Sequence, residues 1–165
     1  MKTLGFIGTG GMGNGMAANL IKAGYRLVVN DLDRARAKGL EDQGAVFKAS
    51  PKAVAESCEL VLSMLPNNNA VKAVAHGKGG LIEAASGAKT WIDFSSIDKE
   101  TIVSIEGELA KKGWSVVDAS AGGVEEVAAA GALALWLSGA KAVFDEHQPI
   151  FKAMVKSILH VGELG

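Results

Sequence analysis

The sequence predicts an α/β domain with a doubly wound, mainly parallel sheet. Short apolar segments rich in β-branched residues alternate with segments of helical periodicity along most of the chain. The predicted strands are apolar at consecutive positions, which is typical of strands whose two faces are both covered. With 165 residues, of which 48% are hydrophobic and 21% charged, the chain suffices for one well-filled domain and is too short for two ordinary ones.

Capping and helix-ending residues define the predicted elements of the first half. Ser50 is a predicted N-cap, and Pro51 follows it in the first turn of a helix, where its missing N–H costs nothing. Gly24 and Gly44 stand where two earlier helices should end. These signals predict strands at 3–8, 26–31, 45–49 and 59–65, and helices at 12–23, at 34–43, from Pro51 onward and within 66–77.

The alternation changes after residue 120. A Gly/Ala/Glu-rich link comes after that position, and Pro149 interrupts the last helical segment. The change predicts mixed pairing among the C-terminal strands. The predicted elements are strands at 89–94, 114–120, 131–139 and 158–162, a helix capped by Asp98, and two short helices within 141–156 separated at Pro149.

Charge and hydropathy exclude several classes of partner. The net charge is −1 and the basic residues are scattered, so we expect no nucleic-acid partner and no attraction to anionic membranes. No apolar stretch is long enough to span a membrane, and the N-terminal apolar run is too short for a signal peptide. The single cysteine, Cys58, is interpreted as a small buried residue in a reducing compartment, so that a cytoplasmic location is predicted.

Five glycines stand close together between the first predicted strand and the first helix. Three of them, Gly8, Gly10 and Gly13, form a G-x-G-x-x-G pattern. Gly8 permits a tight turn, Gly10 lets the backbone approach a pyrophosphate, and Gly13 lets helix and strand pack closely. The helix N-terminus then offers N–H donors to phosphates. This context predicts a Rossmann-type dinucleotide site made by Gly8, Thr9, Gly10, Gly11, Met12 and Gly13.

A carboxylate ends the second predicted strand and bears on the choice of cofactor. Asp31 lies 18 residues after Gly13, where the ribose-binding acid of an NAD site belongs, and Asn30 beside it is included in the predicted site. A carboxylate accepts hydrogen bonds from a ribose 2′-OH and repels a 2′-phosphate. Arg34 and Arg36 follow closely and could help to hold the 2′-phosphate of NADP, but we interpret them as an exposed helical face. NAD is therefore predicted, with NADP less favoured.

Four stretches together resemble the β-hydroxyacid dehydrogenases. This family includes 3-hydroxyisobutyrate dehydrogenase, tartronate semialdehyde reductase and, more distantly, 6-phosphogluconate dehydrogenase. "FIGTGGMGNGMAANL" (6–20) resembles the family's opening signature, and "VLSMLPNNNAV" (61–71) its Met-Leu-Pro loop. "IDFSSIDKET" (92–101) resembles its Asp-x-Ser-Thr segment, and residues 116–154 resemble its substrate-loop region and the adjoining C-terminal segment. The resemblance runs along the whole chain.

The resemblance implies roles for residues outside the glycine pattern. Leu65 and Pro66 would line the cofactor cleft, and Asn69 would hydrogen-bond the cofactor, unless it caps the following helix. Ser96 matches the threonine that contacts the nicotinamide ribose, with Ser95 as its partner, although one of the two serines could instead cap the next helix. The substrate would bind at Ser95 and Ser96 and at the loop formed by Ser120, Ala121, Gly122 and Gly123.

The chain departs from the family pattern in two places. The substrate loop usually reads Asp-Ala-Pro-Val-Ser-Gly-Gly, whereas "DASAGG" (118–123) is one residue shorter and lacks the proline. Either Ser120 replaces the substrate-binding serine one place early, or Ala121 takes its position and the hydroxyl is lost. Family members also continue past "HVGELG" into a long helix with the catalytic lysine and a helical domain, so no catalytic residue is assigned here.

These observations predict that residues 1–165 are the dinucleotide-binding domain of a dehydrogenase, without the family's C-terminal helical domain. The parent enzyme would pass a hydride between a nicotinamide cofactor and a small β-hydroxyacid, and would form a homo-oligomer. The isolated chain should then expose apolar side chains near its last strand. A stand-alone nucleotide-binding regulatory module is the alternative function. No metal is predicted, because His76, His147 and His160 lack metal-ligand spacing.

Overall fold

The computed structural model describes residues 2–87 and 89–165, which fold into one sheet with helices on both faces. The spatial order of its strands is β3-β2-β1-β4-β5-β6-β7-β8, and neighbours run parallel except β6 and β7, which are antiparallel. The predicted Rossmann-type fold with mixed C-terminal pairing is confirmed. The strands are β1 (Thr3–Ile7), β2 (Arg26–Asn30), β3 (Val46–Phe47), β4 (Leu60–Ser63), β5 (Lys89–Asp93), β6 (Trp114–Gly122), β7 (Leu133–Ser138) and β8 (Val155–Gly162).

Two helices begin at the caps that the sequence predicts, Ser50 and Asp98. The Ser50 hydroxyl accepts a hydrogen bond from the Ala53 N–H at 3.2 Å, and the Asp98 carboxylate accepts one from the Thr101 N–H at 2.7 Å. The helices are α1 (Gly11–Lys22), α2 (Lys38–Glu41), α3 (Pro51–Ala55), α4 (Asn68–His76), α5 (Lys99–Leu109), α6 (Glu125–Ala129) and α7 (Lys141–Lys152), with 3₁₀ turns at Arg34–Ala37, Leu81–Glu83 and Ala110–Lys112.

Two apolar layers hold the helices against the sheet. Along β4, Leu60 and Leu62 belong to the layer under α1 and α7, whereas Val61 belongs to the layer under α3, α4 and α5. Consecutive strand residues are therefore buried on opposite faces, which explains the unbroken apolar runs. Cys58 is buried, as predicted. Within the described residues, no helix has the length and hydropathy needed to cross a membrane.

The C-terminal helix corrects one prediction. Pro149 does not divide the segment into two helices, because α7 continues through it to Lys152. Its apolar side packs well enough to outweigh the lost backbone hydrogen bond: Phe144 and Phe151 stack with ring centroids 6.3 Å apart. The last strand then begins at Val155, three residues before the predicted position 158.

Two further boundaries differ from the sequence prediction. The segment 34–43 forms a 3₁₀ turn followed by the one-turn helix α2 rather than a full helix. The Gly/Ala/Glu-rich link contains α6, which no periodic apolar pattern predicts. A helix this short depends on its neighbours, so its own sequence carries little signal.

Helix α6 docks on α1 through a groove of small residues. A β-carbon at Gly15 would come within 2.7–2.9 Å of the Ala128 and Ala129 backbone, so only glycine permits this approach. The Asn19 side-chain amide donates to the carbonyls of Ala128 at 2.9 Å and of Ala129 at 3.2 Å. These contacts hold the end of α6 against the middle of α1.

Candidate cofactor-binding site

The strand order reverses between β1 and β4, and the candidate site lies at the carboxyl ends of these strands. In open α/β sheets the two chain crossovers diverge at such a switch point and leave a crevice there. The segments that come after β1, β2, β4, β5 and β6 all reach this edge of the sheet.

The glycine-rich turn after β1 has the geometry that the sequence predicts. Gly8 has a φ of 88°, and a β-carbon there would overlap the Met64 carbonyl. A β-carbon at Gly13 would overlap the Gly8 carbonyl, so Gly13 does let the helix pack closely on the turn. At Gly10 the nearest neighbour of a β-carbon is the Arg36 guanidinium, 3.5 Å away. The tight turn and close packing are confirmed.

The amino end of α1 faces the crevice, and α1 itself places no acidic side chain there. Gly10 is its N-cap and contributes no side-chain hydrogen bond, and its first turn holds no acidic residue. The N–H groups of a first turn have no partner inside their own helix, and they form the positive end of the helix dipole. Gly11 and Met12 therefore have backbone N–H groups that could donate to a phosphate.

The Asp31 carboxylate is held against the glycine-rich turn. Its Oδ2 accepts from the Thr9 N–H at 2.7 Å and from the Thr9 hydroxyl at 3.3 Å, and its Oδ1 accepts from the Asp33 N–H at 2.9 Å. Thr9 is 2% exposed and Asn30 is 7% exposed, and the Asn30 amide donates to the Lys48 carbonyl at 2.8 Å. Both side chains therefore position the site and do not line the crevice.

The two arginines after β2 have different surroundings. Arg34 forms an ion pair with Glu41 at 3.0 Å and lies over the Phe47 ring, 5.1 Å from its centroid. Arg36 forms an ion pair with Asp33 at 3.8 Å and also reaches back over Gly10. The prediction that both arginines are exposed is correct. The sequence does not show that Arg36, rather than Arg34, reaches the crevice.

A buried chain of hydrogen bonds positions the segment after β4. The Leu65 N–H donates to the Ser95 hydroxyl at 2.9 Å, and that hydroxyl donates to the Asp93 carboxylate at 2.8 Å. Ser95 is fully buried, which corrects its assignment to substrate binding, and Asp98 rather than either serine caps α5. Ser96 is exposed at the crevice edge, and Leu65 is half-buried beside the exposed Pro66.

Two carboxylates occupy neighbouring positions on β5 and β6. Asp93 and Asp118 are register partners. Burial raises the pKa of Asp93 to about 6, and the charge of Asp118 adds to this effect. Burial also raises the pKa of Asp118. Their proximity was not predictable, because the 24 residues between them carry no signal for this register.

The helix α4, which follows the Met-Leu-Pro segment, is capped by Asn67 and not by Asn69. Asn67 is the N-cap of α4 and accepts from the Ala70 N–H at 3.0 Å. Asn69 lies inside the helix and is exposed, so the capping alternative is wrong for it. Its contact with the cofactor remains a prediction.

The predicted substrate loop is mostly a strand, which corrects its boundary. β6 continues to Gly122, and Ser120, Ala121 and Gly122 pair with Trp136, Leu135 and Ala134 of β7. The Ala121 N–H donates to the Phe94 carbonyl at 3.2 Å, so it is not free for a ligand. The Ser120 hydroxyl lies 3.5 Å from Asp118 Oδ1, and Gly123 comes after the strand with a φ of 147°.

The described residues contain no group of three His, Cys, Asp or Glu side chains that could hold a metal ion. His147 is 3% exposed and its Nδ1 lies 2.9 Å from the Val143 carbonyl. His160 Nε2 lies 2.8 Å from the Gly139 carbonyl. Both rings thus have a partner in the backbone.

The amino-acid sequence matches a known family along nearly its whole length. Residues 3–162 match the model of the NAD-binding domain of 6-phosphogluconate dehydrogenase. The chain belongs to this family. The NAD-binding domain is 36% identical over 165 residues to 3-hydroxyisobutyrate dehydrogenase of Pseudomonas aeruginosa, and 34% identical over 162 residues to 2-(hydroxymethyl)glutarate dehydrogenase of Eubacterium barkeri.

These alignments cover nearly all of the NAD-binding domain but only part of each relative. They span 100% and 98% of this chain, and 55% and 54% of the two dehydrogenases. The solved 3-hydroxyisobutyrate dehydrogenase of Mycobacterium tuberculosis with L-serine superposes with a TM-score of 0.91 at 27% identity, over 99% of this chain and 55% of that one. The chain thus spans about half the length of the curated relatives it matches.

Proposed function

We propose that this NAD-binding domain is the cofactor-binding half of a dehydrogenase for a small β-hydroxyacid of the 3-hydroxyisobutyrate or 2-hydroxy-3-oxopropionate class. The observation that carries the proposal is the glycine-rich turn at the switch point, with the Asp31 carboxylate held beside it by Thr9. Two relatives named for the oxidation of small hydroxyacids support the substrate class.

The residues at the crevice fit a dinucleotide. The Gly11 and Met12 N–H groups would donate to the pyrophosphate above Gly10. Asp31 would accept hydrogen bonds from the adenosine ribose and repel a 2′-phosphate, which favours NAD over NADP. Leu65 and Pro66 would contact the remaining length of the cofactor. Bound NAD supplies the group that takes up the hydride.

The substrate side of the crevice is the edge formed by β5 and β6. The exposed Ser96 hydroxyl would bind the nicotinamide ribose. The Gly123 N–H, together with the Ser120 hydroxyl, would bind the substrate carboxylate. Because the chain spans about half the length of its relatives, the proton shuttle would be a lysine outside these 165 residues, in a part that would also close the crevice.

Binding and turnover on the same sample test this proposal. We expect the chain to bind NADH in a calorimetric titration and to show no substrate-dependent change in NADH absorbance with 3-hydroxyisobutyrate or glycerate. General acid–base assistance is worth about 10²–10⁴ in rate, and orientation of the substrate about 7–11 kcal/mol of barrier. Turnover would show that the proton shuttle lies within the chain, and a lack of NADH binding would contradict the cofactor site.

A further inference from the structure

We propose that Glu125 is an internal competitor for the cofactor pyrophosphate. Its carboxylate rests at the amino end of α1 and thereby lowers the affinity of the chain for NAD(H). The inference rests on the proposed function, because it assigns the pyrophosphate to this end of α1. It names a residue that determines cofactor affinity and that lies outside the glycine-rich pattern.

The position of Glu125 is defined by its approach to Gly11. A β-carbon at Gly11 would overlap the Glu125 carboxyl group, so the carboxylate lies directly against the first residue of α1. α1 has no acidic residue in its own first turn. Glu125 thus supplies, from another helix, the negative charge that stabilises a helix N-terminus.

The backbone that carries Glu125 is well fixed. Glu125 is the first residue of α6, and α6 is held on α1 by the glycine at position 15 and by the two Asn19 hydrogen bonds. The backbone of Glu125 is therefore fixed on α1, and its exposed carboxylate lies against Gly11. A pyrophosphate at this helix end would lie beside the carboxylate or would have to move it into another rotamer.

Charge explains the competition. A pyrophosphate carries negative charge to the same positive helix end that the Glu125 carboxylate occupies, and like charges a few ångströms apart repel. Arg36 lies over Gly10 and also forms an ion pair with Asp33 at 3.8 Å. The turn is therefore flanked by one cation and one anion, and the anion opposes the ligand.

A pair of neutralising variants provides the test. Glu125→Gln removes the charge and keeps the shape of the side chain. Glu126→Gln removes the same charge from the next residue, which is exposed. In NADH titrations at low salt we expect Glu125→Gln to bind roughly three- to tenfold more tightly than the natural chain, and Glu126→Gln to stay within about twofold of it. The gap should narrow at high salt, because salt screens the repulsion.

Two results of the titration would overturn the proposal. Equal affinity of Glu125→Gln and the natural chain would show that the carboxylate does not oppose the cofactor. Weaker binding by Glu125→Gln would show that the Glu125 carboxylate makes a favourable contact with the bound cofactor.

A measurement without cofactor separates this proposal from the proposed function. If Glu125 stabilises the end of α1, Glu125→Gln should lower the midpoint of thermal unfolding of the cofactor-free chain more than Glu126→Gln does. Equal midpoints would overturn the placement of Glu125. If neither the natural chain nor the variants bound NADH at any salt concentration, the proposed function would fail. The unfolding midpoints would still decide whether the Glu125 carboxylate lies at the end of α1.

Discussion

The Asp31 carboxylate accepts hydrogen bonds from Thr9 and Asp33 within the protein and still lies partly exposed at the crevice. The internal bonds fix its direction before any ligand arrives. A carboxylate that is already ordered loses little side-chain entropy when a ribose binds. Asp31 is for this reason the residue at which cofactor choice is most open to test.

Substitution of Asp31 should weaken NAD binding and narrow the preference for NAD over NADP. A hydrogen bond to a charged group contributes about 1.5–3 kcal/mol, so Asp31→Ala should lower NAD affinity roughly tenfold or more. Asp31→Asn keeps an acceptor for the Thr9 N–H. It therefore separates the loss of the negative charge from the loss of the hydrogen bond to the glycine-rich turn. Calorimetric titration of both cofactors gives the affinities, with Asp42→Ala as a distant control. Unchanged NAD affinity in both Asp31 variants would contradict the assignment.

Asp93, like Asp31, accepts hydrogen bonds within the protein, but its carboxylate is fully buried. Its Oδ1 accepts from the hydroxyls of Ser63 at 2.5 Å and Ser95 at 2.8 Å, whereas its Oδ2 has no hydrogen-bond partner among the described residues. The pKa of about 6 in the folded chain lies above the ordinary value of 3.8. The folded chain therefore binds more protons than the unfolded chain between these values, and the contribution of Asp93 to stability falls as pH rises from about 4 to 6.

Acidification from pH 7 to pH 5 should raise the free energy of unfolding of the natural chain relative to that of Asp93→Asn. At pH 7 the buried charge costs about 3 kcal/mol, and protonation at pH 5 should recover about 1 kcal/mol of it. Urea unfolding of both proteins at the two pH values measures the difference in the free energy of unfolding, with Asp42→Asn as an exposed control. A difference between the natural chain and Asp93→Asn that does not change with pH would show that Asp93 is ionised normally.

At the scale of elements, α7 shows tertiary packing outweighing a local signal. Pro149 is exposed and lies three residues from the end of a helix whose apolar side is covered by β7 and β8. The proline removes one backbone hydrogen bond but no side-chain contact of the core. Its cost should therefore be recoverable by substitution.

Pro149→Ala should raise the free energy of unfolding by about 1–2 kcal/mol. Alanine restores the missing N–H and the favourable helix propensity, and the gain is partly offset by greater freedom of the unfolded chain. Urea unfolding at neutral pH measures the change, and Glu146→Ala on the same exposed side is the matched control. A loss of stability would show that the proline ring makes a contact that the helix needs.

At the scale of the whole molecule, the outer face of β7 and β8 exposes apolar side chains. Trp136, Leu159 and Val161 are 48%, 58% and 54% exposed, and Trp136 and Leu159 are register partners. The expectation that apolar residues near the last strand face water is thus confirmed. Only one side of β8 is paired among the described strands, which adds free backbone groups to the same surface.

This face should make the isolated chain self-associate. Exposed apolar area beside an unpaired strand edge favours contact between copies. Sedimentation velocity should show a mean mass that rises with concentration, and Leu159→Lys should suppress the rise. Leu32→Lys changes a fully exposed leucine in the loop after β2 and should leave the rise intact. A natural chain that stays monomeric at every concentration would contradict the prediction.

Local signals made most of this fold predictable, and distant contacts account for the features that were missed. The caps at Ser50 and Asp98 and the turn at Gly8 depend on neighbouring residues, so the sequence contains them directly. The burial of Ser95 and its hydrogen bond from Leu65 depend on the sheet bringing the ends of β4 and β5 together. The approach of Arg36 to Gly10 and of Glu125 to Gly11 depends on how separate helices dock. No short-range pattern encodes these.

β6 has a consequence for how the molecule opens. Its first half pairs with β5, and its second half, from Asp118 onward, pairs with β7, so β7, α7 and β8 join the sheet through half of one strand. Local unfolding of that unit would free Ser120 and Gly122 while β1, β2 and β4 stayed folded around the glycine-rich turn. Hydrogen exchange at the substrate edge can thus proceed at a rate of its own, independent of the edge that holds the dinucleotide.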